Sequence, residues 1–220
     1  MQINWGFLST LIVILLIIIA YLFFRRKEGG KELALIATMS ALAALVRIPF
    51  AMLPSVQPMT FLIIMSGVVF GGRVGFFTGA TAALVSNFFL GQGPWTPWQM
   101  LAWGLIGLSA GAVSRWEGMK RPLPMAVFGA VWGFLFGWIT NLSHWLTFIY
   151  PLTLKTYLAT YALSFKFDLA HSLTNFFLCL FLFSPCYRIM YSFRQRLYTE
   201  QLAEEETAIK KQEITKNRYS

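Results

Sequence analysis

The chain has 220 residues, of which 57% are hydrophobic and only 12% charged, with a mean hydropathy of +0.60. A soluble domain carries about 25% charged residues, so this composition excludes an ordinary soluble enzyme and indicates an all-α integral membrane protein. The formal charge of +9 does not indicate nucleic-acid binding, because the basic residues cluster between apolar runs, where the positive-inside rule places them.

The first apolar run, about Trp5–Phe24, is followed and not preceded by Arg25-Arg26-Lys27. It therefore reads as a retained transmembrane anchor and not a secretory signal. The second span is expected at about Glu32–Leu53, ending at Pro54. The third, about Pro58–Phe70, is short and closes at Gly71-Gly72-Arg73. The fourth is expected at about Val74–Leu90 and the fifth at about Trp98–Val113. The sixth is expected at about Met125–Phe148 and the seventh at about Lys166–Cys186. Between the last two, Pro151–Ser164 is too polar and broken to span and is expected as a short surface helix. The tail beyond Tyr187 is basic, then Glu-rich, then basic, and reads as a solvated helix or a disordered end. Cys179 and Cys186 sit two helical turns apart and read as unpaired apolar fillers.

With the N-terminus outside and the spans alternating, fifteen of the 18 basic residues fall on the cytoplasmic side. Arg47, Lys155 and Lys166 remain outside. That asymmetry fixes the expected orientation, with a cytoplasmic C-terminus.

Small residues let helices approach closely in lipid. Ala34, Ala37, Ala41 and Ala44 form one face of the second span, widened by Ser40, and that face suits contact with another subunit or with this bundle. Gly75, Gly79 and Ala83 form a ridge that ends near Asn87. Gly129, Gly133 and Gly137 form another that ends at Asn141. Both ridges are expected inside the bundle.

The uncharged loop Gly91-Gln92-Gly93-Pro94-Trp95-Thr96-Pro97-Trp98-Gln99-Met100 carries the strongest binding signal. Gly and Pro set its shape, Trp offers flat apolar faces with an N–H, and Gln offers both donors and acceptors. Either Trp alone also suits the interfacial aromatic belt. Ionisable and amide groups at membrane depth are functional candidates by default. Here they gather towards the outer side. Phe134, Trp138, Asn141 and Trp145 form a stripe on the sixth span, with His144 beside it. Asp168, His171, Ser172 and Asn175 share a face of the seventh. Trp98, Gln99 and Trp103 start the fifth, and Arg47 and Gln57 flank the loop before the third. The candidate substrate-binding set is Gln57, Gln92, Trp95, Trp98, Gln99, Trp103, Asn141, His144, Trp145, Asp168, His171 and Asn175. Aromatic faces with scattered amides suit a large, flat, mostly uncharged ligand.

There is no Gly-x-x-x-x-Gly-Lys-Ser/Thr phosphate loop, so this chain does not by itself power transport with ATP. There is no nucleophile elbow and no His-Glu-x-x-His helix. His144, Asp168 and His171 could in principle hold zinc, serve a membrane hydrolase, or support a proton-coupled carrier through Asp168. No resident cofactor or metal is expected.

The stretch from Lys31 to Val113 resembles the substrate-specific (S) components of energy-coupling factor (ECF) vitamin transporters. The resemblance rests on Ala37-x-x-x-Ala41, on Val56-Gln57-Pro58-Met59-Thr60, on Phe70-Gly71-Gly72-Arg73-Val74-Gly75 and on the Gly91–Met100 loop. A weaker match continues to about Arg188. It implies a six-helix bundle that takes one vitamin from outside and docks on a membrane scaffold subunit and two cytoplasmic ATPases. Ala37 and Ala41 would meet the scaffold, and the bundle would topple in the bilayer to release its ligand. Cobalamin-specific members are the most similar, although a nucleoside-like or flavin-like ligand would also suit these residues. The expected organisation is an extra N-terminal transmembrane helix with a basic linker in residues 1–30. The six-helix substrate domain follows in residues 31–188, then a charged cytoplasmic tail in residues 189–220.

Overall fold

A computed structural model describes residues 5–24 and 30–218; the basic linker at 25–27 lies outside the described residues. The described residues form seven α-helices in chain order. These are α1 (Trp5–Phe24), α2 (Gly30–Arg47), α3 (Pro58–Phe70), α4 (Gly72–Leu90), α5 (Thr96–Val113), α6 (Pro122–Phe148) and α7 (Leu154–Arg218). A single 3-10 turn, Glu117–Met119, joins α5 to α6. Among the described residues, Gly72–Leu90, Pro122–Phe148 and Leu154–Leu197 are long and apolar enough to cross a membrane. Leu8–Leu22 and Pro58–Phe70 are shorter apolar helices.

Three expectations need correction. The second helix stops at Arg47 and not near Leu53. Pro49 has no N–H and restricts Ile48, so the chain turns through 48–55, with Ser55 at φ 60°. Pro151–Ser164 is not a separate surface helix, since α7 begins at Leu154 and runs on without interruption. Its start is held by a reciprocal cap. Thr156 N–H donates to Thr153 Oγ1 at 3.2 Å, and Thr153 N–H donates to Thr156 Oγ1 at 3.1 Å. Finally, α7 does not end at Cys186. It continues through Pro185, so the tail is helical to Arg218.

Close approach between glycines sets the packing. Gly71, at φ +101°, joins α3 directly to α4, a conformation that a side chain would strain. A Cβ on Gly107 of α5 would strike the backbone of Gly75 on α4, and one on Gly79 would strike the backbone of Trp103. The expected α4 ridge therefore lies inside, against glycines of α5. The α6 ridge also lies inside. Gly129, Gly133 and Gly137 meet Asn175, Ser172 and Asp168 of α7 in turn. The core fills with Ile63, Ile64, Met65, Val69, Ala82, Trp103, Ile106, Cys179 and Phe183, all essentially inaccessible. Cys179 and Cys186 are both free thiols. The helix α1 touches α5.

Candidate functional site

The turn that ends α2 leaves Arg47 at the helix terminus, on the side of the bundle where α4 ends and α5 begins. Its side chain folds inward and is buried. The guanidinium donates from Nε to Gln57 Oε1 at 3.2 Å. From one terminal nitrogen it donates to Ser86 Oγ at 2.6 Å and Asn87 Oδ1 at 2.8 Å. It also lies 4.7 Å above the Trp103 ring, within cation–π range. Among the described residues no carboxylate forms an ion pair with it. A buried cation held by neutral groups and an aromatic face is costly unless it serves a purpose.

Asn87 extends this cluster into the central loop. Its amide donates to Gln99 Oε1 at 2.8 Å and to Thr96 Oγ1 at 3.0 Å. Thr96 in turn donates to Gln92 Oε1 at 2.8 Å. Towards α7, the Trp103 indole donates to Thr60 Oγ1 at 3.0 Å, and that hydroxyl also bonds His171 Nε2 at 2.9 Å. Phe136 closes the space between Trp103 and His171, with ring centroids 4.4 and 5.1 Å away. One connected chain of hydrogen bonds and a cation–π contact therefore runs from the loop residue Gln92, through Arg47 and Trp103, to His171 in the first third of α7.

A second cluster lies between α6 and α7. Asn141 donates to Ser164 Oγ at 2.6 Å and to Asp168 Oδ2 at 3.3 Å, and Ser164 donates to the same oxygen at 3.1 Å. Gly137 leaves the room that the Asp168 carboxylate fills. Further along the hairpin Trp145 donates to Thr156 Oγ1 at 3.0 Å and meets Tyr157 edge-on. Asn175 donates to the Gly129 carbonyl at 3.1 Å, while its own side-chain carbonyl oxygen has no partner among the described residues. Asp168 and His171 are one helical turn apart on α7, so the two clusters adjoin.

The candidate residues thus separate into groups. Gln57, Gln92, Gln99, Trp103 and His171 belong to the Arg47 chain, and Asn141 and Asp168 to the second cluster. Trp145 and Asn175 hold α6 to α7. Trp95 is exposed, with its ring against Gly93. Trp98 points its indole N–H at Ser9 of α1, 3.4 Å away, and so faces the added helix. His144 is exposed and packs beside Phe148. It is not gathered with buried Asp168 and His171, and no group of three metal-ligating side chains exists among the described residues. The zinc or hydrolase constellation is therefore not assembled.

The sequence names Gln57 as a candidate, but it places Arg47 only beside the loop and does not single out Thr60, Ser86, Asn87 or Thr96 as members. The signal was present in part, since the Gly75–Gly79–Ala83 ridge leads to Ser86-Asn87 at the loop end of α4. Ala34, Ala37 and Ala41 are exposed on α2, whereas Ser40 and Ala44 are buried. The alanine face is thus free of internal packing over most of its length.

A family model described as "ECF transporter, substrate-specific component" matches residues 31–191. No curated protein and no solved structure matches the chain.

Proposed function

This chain belongs to the family of ECF transporter substrate-specific components, and we propose that the substrate it captures from outside is cobalamin. It is the substrate-binding membrane subunit of a transporter and not an enzyme, and subunits of this family work with a scaffold and an ATPase module. The observation that carries the proposal is the Arg47 cluster. A single buried cation sits among amides, hydroxyls and a Trp ring, next to a loop with an exposed Trp. Cobalamin presents a flat corrin rim, many peripheral amides and one phosphodiester. Amide side chains of Gln57, Asn87, Gln99 and Asn141 complement its amides by donating and accepting at once. One Arg complements one phosphodiester. Trp95 offers an apolar face for the corrin rim.

In this reading the outer end of the bundle is the end that holds Arg47 and the 91–95 loop, and the N-terminus of α1 lies outside. The polar groups that bond one another in the structure exchange those bonds for bonds to the ligand, so little is left unsatisfied in either state. Ala37 and Ala41 form the docking face for the scaffold subunit, and two ATPases supply the energy.

A binding screen of the purified chain against a panel of vitamins tests the ligand. Saturable binding of cobalamin alone supports the proposal, and selective binding of a flavin or nucleoside replaces it. Accumulation of substrate by the chain alone in liposomes under a proton gradient would instead favour a carrier that uses Asp168.

A further inference from the structure

A buried threonine at the start of α3 links Trp103 to His171. Pro58 opens α3, so Thr60 lies in its first turn, and Val56, four residues back, lies before the helix. Hydroxyls further along the helices, such as those of Ser66, Ser109 and Thr140, donate to the carbonyl four residues back. Thr60 makes no such bond among the described residues. Its side chain is inaccessible, and its hydroxyl meets the Trp103 indole nitrogen at 3.0 Å and His171 Nε2 at 2.9 Å.

These two contacts fix where the hydrogens lie. An indole N–H can only donate, so Thr60 Oγ1 accepts from Trp103. The hydroxyl hydrogen then has one acceptor within reach among the described residues, His171 Nε2. Were Nε2 the protonated nitrogen, the hydroxyl would accept twice and its own hydrogen would be buried without a partner, which folded interiors avoid. A neutral imidazole carries one ring hydrogen, and the bond made at one nitrogen sets which nitrogen holds it. Nε2 is therefore bare, and the hydrogen sits on Nδ1. Nδ1 bonds no described residue, yet it is not one of the atoms sealed from solvent without a partner. It opens onto accessible space as an unused donor, on a residue only 3% exposed.

We infer that Thr60 is a positioning residue of the substrate site and that the donor it prepares is His171 Nδ1–H. The same hydroxyl holds the Trp103 ring that lies 4.7 Å from the Arg47 guanidinium. Phe136 packs against both rings, edge-on to His171 and 4.4 Å from Trp103. One threonine thereby sets an aromatic support for a cation and a neutral donor beside it. That donor calls for an acceptor on the substrate, such as an amide carbonyl oxygen, and disfavours an amino or ammonium group at the same place. The amides of cobalamin supply such an oxygen. The identity of the acceptor rests on the cobalamin reading, whereas the hydrogen positions do not.

The test is nitrogen NMR of the purified chain in detergent, labelled at its histidine rings. Protonated and bare ring nitrogens resonate far apart, and His144, the other histidine, serves as a reference. His171 is expected with a protonated Nδ1 and a bare Nε2. Thr60→Val keeps the side-chain shape but removes the hydroxyl, so the Nε2 resonance should move, and Thr60→Ser should restore it. Saturating cobalamin should move the Nδ1 resonance. Thr60→Val should weaken cobalamin binding about threefold to tenfold, on the scale of one hydrogen bond. Circular dichroism confirms that each variant stays helical. A protonated Nε2 in the native chain, or an Nε2 resonance that Thr60→Val leaves in place, overturns the inference. Cobalamin binding that leaves Nδ1 unmoved overturns the donor's role. Failure of the native chain to bind cobalamin refutes the cobalamin reading and the amide acceptor with it, while the two ring resonances still decide the role of Thr60.

Discussion

Arg47→Met separates ligand recognition from folding. Arg47 is only 7% exposed and bonds Gln57, Ser86 and Asn87 while lying over Trp103. Its removal leaves Gln57 Oε1 and Asn87 Oδ1 without this donor, while Ser86 keeps its own bond to the Ala83 carbonyl. Two orphaned acceptors cost about 1–3 kcal/mol each. Against this, methionine relieves the burial of a charge that has no carboxylate partner among the described residues, and that desolvation costs several kcal/mol. The two effects oppose each other, so stability should change by no more than about 2 kcal/mol. Binding has no such offset. A charge-assisted hydrogen bond to the ligand is worth about 1.5–3 kcal/mol, so affinity should fall about tenfold to hundredfold. Calorimetric titration with cobalamin beside a thermal melt in the same detergent reads both quantities. Unchanged affinity would refute the assignment of Arg47 to the site. Collapse of the fold would refute the claim that desolvation offsets the lost bonds.

Asn141→Ala removes the donor to Ser164 and Asp168, and cobalamin affinity should drop about tenfold or more in the same titration. Ala37→Leu and Ala41→Leu, on the exposed face of α2, should block copurification with the scaffold subunit while cobalamin binding persists. Gly133→Ala places a methyl against the Ser172 backbone and should cost roughly 1–3 kcal/mol, seen as a lower melting temperature. Gly118→Ala, which meets open space, should leave the melt unchanged.

Much of the fold is legible in the sequence where backbone chemistry is decisive. Pro58 opens α3, Gly71 closes it, and both ends fall where the residues place them. The edges that differ depend on tertiary or side-chain detail. Thr153 and Thr156 look like ordinary loop residues until their reciprocal bonds are seen, and those bonds start α7 ten residues or more before its apolar run. Pro185 looks like a stop, yet α7 continues through it. At the site, amides and aromatics stand out in an apolar chain, so Gln57, Gln99, Trp103, Asn141, Asp168 and His171 are readable as candidates. Thr60, Ser86 and Thr96 are not, because a small hydroxyl in a membrane helix usually bonds its own backbone. Their roles come only from the helices that face them. The direction of Trp98 is equally hidden, since it depends on where α1 rests. His144 shares the C-terminal end of α6 with Asn141 but is exposed, which three residues of helix phase near a terminus do not reveal.

The central claim is that this S component takes cobalamin at the end of the bundle where Arg47, Asn87 and the 91–95 loop meet. Its most direct test is a calorimetric titration of the purified, partner-free chain with cobalamin, with riboflavin and a nucleoside titrated in parallel. Saturable one-to-one cobalamin binding, lost at least tenfold in Arg47→Met and silent for the other two ligands, is the predicted result. No cobalamin binding by a folded chain, or equal binding by Arg47→Met, would contradict the account.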